Sequence, residues 1–137
     1  MPVTLLERKP EAYEKAVGTV RRHNDSATSK GRLSASELER KTGMIKPTLA
    51  YEDLAGADLI IEAVFEDLVV KKSVFERLDT VAKPGAILAS NTSTLDLNKI
   101  AAFTARAQDV VGMHFFSPSN VMTLLEVVRG ARTAPDV

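Results

Sequence analysis

The chain contains no cysteine, two histidines, seven glycines and an aromatic fraction of 5%. Without cysteine, disulfides, thiolate catalysis and cysteine-based zinc sites are excluded. The two histidines, His23 and His114, are far apart in the sequence, which argues against a metal site. Neither sign of charge dominates: 18 basic residues balance 18 acidic ones, and no like-charge block stands out. That balance gives no support to nucleic-acid binding or to attachment at an anionic membrane. The longest apolar runs are far too short to span a bilayer, and the N-terminus lacks the basic-then-apolar pattern of a signal peptide. The expectation is no membrane insertion and a cytoplasmic setting. None of these absences identifies a function.

What is present is ordinary globular material. The 137 residues are 45% hydrophobic and 26% charged, enough for one domain, or part of one, with a modest core. "PVTLLE" (2–7) reads as a short strand, with Pro2 tolerable only at its start. Pro10 suits a first helical turn, and Tyr13, Ala16, Val17 and Val20 follow at helical spacing, so a helix is expected to about Gly31. Ser34 and Glu37 have the spacing of a capping box, opening a second helix that should stop near Gly43. A weak strand is expected around Pro47 to Ala50. "ADLIIEAV" (57–64) is a stronger one, of the type buried on both faces in a parallel sheet. From Asp67 the period becomes helical. Val70, Val74, Leu78 and Val81 share a face, Lys71, Lys72, Glu76 and Arg77 lie elsewhere on the surface, and Lys83-Pro84-Gly85 ends the helix. "AILAS" (86–90), "VVGMHFF" (110–116) and "LLEVV" (124–128) read as further strands, with a short helix over 96–102. Strands alternating with helices imply β-α-β units and an α/β fold with a mostly parallel sheet.

In such a sheet ligands bind beyond the carboxyl ends of the strands. Four strand ends here carry polar residues and should converge on one edge: Glu7; Glu66, with Lys71 one turn later; Asn91, Thr92 and Ser93; and His114 to Ser117; Glu126 lies inside the final strand. Each has a bland reading. Acids after strands are ordinarily solvated or start helices. Asn, Thr and Ser before a helix are capping chemistry, and Ser93 to Asp96 has capping-box-like spacing. A histidine beside Phe115 and Phe116 is ordinarily packed. Glu126, set between Leu125 and Val127, needs a partner if buried, although an edge strand would expose it. Ser117-Pro118 can turn the chain so that Glu126 returns beside His114. A carboxylate next to an imidazole fixes its tautomer and favours the protonated ring, which suits a proton acceptor.

With these residues in view, "ADLIIEAVFEDLVVKKSVFERLD", "AILASNTSTLDL" and "VVGMHFFSPSNVMTLLEVVRG" resemble the NAD-binding domain of the L-3-hydroxyacyl-CoA dehydrogenases. With "VTLLERKPEA" the resemblance covers nearly all of residues 1–137. "HFFSP", with Ser117, resembles the multifunctional enzymes of fatty-acid β-oxidation more than relatives reading "HFFNP". The resemblance implies a Rossmann-like sheet and oxidation of a 3-hydroxyacyl-CoA to the ketone, with hydride passing to NAD. It makes His114 the catalytic base, Glu126 its orienting carboxylate and Ser93 the group that binds the substrate oxygen. It puts Asn91 at the nicotinamide end, Glu66 and Lys71 near the nicotinamide ribose, and Glu7 on the adenosine ribose, where an acid disfavours NADP.

The departures are specific. The glycines, at 18, 31, 43, 56, 85, 112 and 130, never approach the G-x-G-x-x-G turn that cradles pyrophosphate in this family. The family's glycine-rich first strand, which belongs between "PVTLLE" and "LIIEAV", and its C-terminal helical substrate and dimerisation domain are expected to be absent. Thr123 stands where the family commonly has lysine in "VMKLLE", which weakens a charge contact with CoA. The expectation is a partial NAD-binding domain over 1–137: an internal fragment of a longer, oligomeric parent. Two readings stand. One is a dehydrogenase piece whose residues had catalytic roles in the full protein. The other is an inactive α/β remnant that at most binds nucleotide weakly or self-associates through its strand edges.

Overall fold

The computed structural model describes residues 1–29, 34–118 and 121–137. They form two compact units, Met1–Asp53 and Leu54–Val137. The architecture is α/β with parallel pairing dominant, as the alternation of periods implied.

The first unit runs β1 (Val3–Leu6), α1 (Pro10–Ser29), α2 (Ala35–Thr42) and β2 (Ile45–Thr48). Pro10 opens α1, where its missing N–H leaves nothing unsatisfied. The expected end near Gly31 lies outside the described residues. The capping box of α2 is formed: Ser34 Oγ accepts from the Glu37 amide, and the Glu37 carboxylate accepts from the Ser34 amide. The bonds that the Ser34 amide and hydroxyl donate to it hold the Glu37 carboxyl below its ordinary value. β1 and β2 pair in parallel as a two-stranded sheet. The strand expected over 47–50 therefore starts earlier, because Ile45 and Lys46 stand opposite Val3 and Thr4. Pro47 fits because this strand is an edge.

The second unit contains β3 (Leu59–Glu62), α3 (Leu68–Val81), β4 (Ile87–Ser90), α4 (Leu97–Ala101), β5 (Val110–Phe115) and β6 (Leu125–Arg129). Its sheet order is β3-β4-β5-β6, parallel except for the last pair. Ile60, Leu88, Ala89, Val110 and Val111 from the strands are buried, as are Phe75 and Leu78 of α3 and Leu97 and Ile100 of α4. Asp67 caps α3 by accepting from the Val69 and Val70 amides. Past its end the chain turns at Gly85, whose φ of 77° suits glycine.

Two expectations are corrected here. β3 is not buried on both faces: Ile60 and Glu62 are buried, whereas Leu59 and Ile61 on the opposite face are exposed. On α3, Lys71 is not a surface residue. It shares the buried stripe with Phe75 and Leu78, at spacings of four and seven residues. A cation is stable there because two carboxylates meet it.

Candidate active site at the strand ends

Because β3, β4 and β5 run parallel, their carboxyl ends share one edge of the sheet. β6 runs back antiparallel from that edge, and Glu126 stands directly opposite His114 in the ladder. Opposed residues share a face. His114 Nδ1 lies 2.9 Å from Glu126 Oε2, as the sequence reading required. An ionised carboxylate can only accept, so it keeps the proton on Nδ1 and leaves Nε2 of the neutral ring with a free lone pair. The ring also packs against Phe116, with centroids 4.7 Å apart. His114 is 23% exposed and Glu126 52% exposed, so the carboxylate is on an open edge strand and needs no burial partner. Gly112 permits the close β5–β6 approach, since a Cβ there would lie 3.0 Å from the Val128 Cβ.

The Asn91–Ser93 segment is tied to both neighbouring strand ends. Asn91 Oδ1 accepts from the Phe115 amide at 2.9 Å, next to His114. Its own amide donates to the Glu62 carbonyl. Ser93 does not cap α4; Asp96 does, by accepting from the Asn98 amide. The Ser93 and Thr94 amides and the Thr92 hydroxyl instead donate to Glu66 Oε1, at 3.0, 3.2 and 2.6 Å. That leaves the exposed Ser93 hydroxyl without a partner among the described residues.

Glu66 Oε2 faces Lys71 Nζ at 3.3 Å. The Lys71 side chain is 0% exposed and is held more tightly by Glu62, at 2.8 and 3.0 Å. Burial opposes ionisation of Glu66. Bonds from Thr92, the Ser93 and Thr94 amides and Lys71 outweigh that and hold the carboxyl down to about 2. Glu62 is the residue that sequence reasoning missed. It also accepts from Ser90 Oγ at 2.8 Å and from the Val64 amide at 2.6 Å. The available signal was a charge inside the apolar run "LIIEAV", nine positions before a lysine.

Glu7 belongs to the first unit. Its strand belongs to the β1–β2 sheet, so three of the four polar strand ends share one sheet edge and Glu7 belongs to another sheet. Its backbone amide bonds the Thr48 carbonyl, and its side chain borders an open depression with Arg8, Lys9, Glu11 and Ala12. An acid in that position can accept from ribose hydroxyls. For a dinucleotide the fit is partial: each unit taken by itself offers polar groups, but no strand-to-helix turn among the described residues carries the glycine-rich sequence that receives pyrophosphate. Also among the described residues, no group of acids and histidines is placed to hold a metal, and no helix is long and apolar enough to cross a membrane.

Comparison with known proteins agrees with this geometry. The family model of the 3-hydroxyacyl-CoA dehydrogenase NAD binding domain matches residues 1–137. The peroxisomal fatty acid beta-oxidation multifunctional protein MFP2 of Arabidopsis thaliana is 40% identical over 99% of the chain, which spans 19% of that relative. The peroxisomal bifunctional enzyme of Cavia porcellus is 41% identical over 98% of the chain, and 18% of that relative is spanned. Among solved structures, the 3-hydroxybutyryl-CoA dehydrogenase of Escherichia coli K12 is 38% identical with a TM-score of 0.95, covering 98% of this chain and 29% of its own. The (S)-3-hydroxybutyryl-CoA dehydrogenase of Ralstonia eutropha is 34% identical with a TM-score of 0.96, covering 99% of this chain and 48% of its own. The chain thus spans well under two thirds of each of these relatives. It belongs to the 3-hydroxyacyl-CoA dehydrogenase family, whose cofactor is NAD, and matches that family's NAD-binding domain.

Proposed function

We propose that these residues serve NAD-dependent oxidation of a 3-hydroxyacyl-CoA to the 3-oxoacyl-CoA in fatty-acid β-oxidation, as part of a longer protein. The observation that carries this reading is the His114–Glu126 pair, tied through Phe115 and Asn91 to a turn that exposes Ser93. His114 Nε2 takes the proton of the substrate 3-hydroxyl. Glu126, across Nδ1, stabilises the imidazolium that results. The Ser93 hydroxyl donates to the substrate oxygen and fixes its direction toward the ring. Bound NAD would supply the acceptor for the hydride that leaves C3. Asn91 keeps its side-chain NH2 free to donate at the nicotinamide end, because its Oδ1 is already bonded to Phe115. Glu66 and Lys71 lie on the ribose side of that end. Glu7 accepts from the adenosine ribose and disfavours a 2′-phosphate. Oligomerisation of the longer protein, through its helical domain, belongs to the same proposal.

The second reading, an inactive remnant, rests on the exposed apolar face of β3 and the absence of a glycine-rich turn from the sequence. A chimera separates the two. This chain replaces the matching segment of the Escherichia coli enzyme, and NADH oxidation by acetoacetyl-CoA is followed. Turnover supports the dehydrogenase reading. A folded chimera without turnover supports the remnant.

A further inference from the structure

The buried cation of α3 meets two carboxylates, and one of them, Glu62, has no part in the proposed chemistry. Lys71 Nζ is bonded to both oxygens of Glu62, at 2.8 and 3.0 Å, and stands further from Glu66 Oε2, at 3.3 Å. Glu62 is itself fixed from two further sides, by Ser90 Oγ and by the Val64 amide. Glu66 is fixed on one oxygen only, by the 92–94 turn, and its other oxygen faces the ammonium.

We propose that Glu62 is a positioning residue that holds Lys71 down, so that Glu66 stays on the 92–94 turn and Ser93 keeps its place. A buried ammonium without a firmly held counter-charge is strongly unstable. If Glu62 loses its charge, Glu66 is the one carboxylate left within reach of Lys71 among the described residues. Glu66 is then drawn inward, and its Oε1 leaves the Ser93 and Thr94 amides. The register supports this division of labour. Glu62 stands opposite Ser90 in the β3–β4 ladder, immediately before Asn91, so the same carboxylate also anchors the strand end from which the turn leaves. Glu62 touches neither substrate nor cofactor in this account. The idea rests on the proposed role of Ser93, but its test does not.

The test is amide hydrogen exchange on the ligand-free chain, comparing Ser93 and Thr94 with core amides of β4 and β5. Glu62→Gln should speed exchange at Ser93 and Thr94 about tenfold or more beyond the change at core amides, as expected for a lost bond to a charged acceptor. The double variant Glu62→Gln/Lys71→Met removes the unbalanced ammonium as well, and should return most of that protection. Ser90→Ala, which takes one donor from Glu62, is the milder probe if Glu62→Gln does not fold, and should act in the same direction. Uniform loss of protection across the sheet, or no recovery in the double variant, overturns the proposal. Because no turnover is measured, a failure of the dehydrogenase reading in the chimera is distinguishable from a failure here.

Discussion

Glu66 carries two loads at once, with Oε1 on the 92–94 turn and Oε2 on Lys71. Its carboxyl titrates at about 2 in the fold, against an ordinary 4.5. A carboxyl depressed in this way contributes stability that is fully present above the ordinary value and lost as pH falls toward the depressed one. The side chain is 36% exposed, so after discounting for solvent screening the contribution is about 1–2 kcal/mol. Urea unfolding of Glu66→Gln should therefore fall short of wild type at neutral pH and converge with it near about pH 2. A gap that widens on acidification would contradict the assignment. At this scale the sequence was legible where chemistry follows strand ends, as with His114 and Glu126. It was opaque where a residue's meaning depends on depth. Lys71 looked solvated because lysine usually is, and Glu62 went unnoticed because only the β3–β4 register and the rotation of α3 bring it onto that lysine.

Elements set the angles at which those side chains meet. Asp67 fixes the start of α3, and with it the turn on which Lys71 sits. Asp67→Ala should cost about 1 kcal/mol in urea unfolding and Asp67→Asn much less, since asparagine caps nearly as well. Equal losses would mean that the cap is not what holds the helix. Gly112→Val should cost about 1–3 kcal/mol by overpacking against Val128. It should also part β5 from β6 and so separate His114 from Glu126, which the His114 ring nitrogen chemical shifts would report. The type of each α-helix and strand was readable from period and capping signals, whereas boundaries moved wherever pairing decided them. β2 shifted because its partner is β1, and Asp96 rather than Ser93 caps α4 because that helix starts at Leu97. The second face of β3 could not have been foreseen, because an apolar run does not record whether anything covers it.

For the whole molecule, exposed apolar groups are the dominant feature. Leu59, Ile61 and Phe65 near β3, and Leu124, Val127 and Val128 around β6, are all accessible, and the outer edges of both strands are unpaired among the described residues. Such edges favour association. Sedimentation of the purified chain should show concentration-dependent self-association, and Ile61→Lys, which puts a charge on the open face of β3, should reduce it. A sharp monomer at all concentrations would contradict this. The 137-residue chain by itself should give no useful NADH-linked turnover, since its sequence contains no glycine-rich pyrophosphate turn.

The most direct measurement is kcat and NADH affinity of His114→Gln against wild type, both in the Escherichia coli chimera. A general base should cost on the order of 100- to 10,000-fold in kcat while leaving the NADH dissociation constant nearly unchanged. Equal losses in the two quantities, or an undiminished kcat, would contradict the role given to His114.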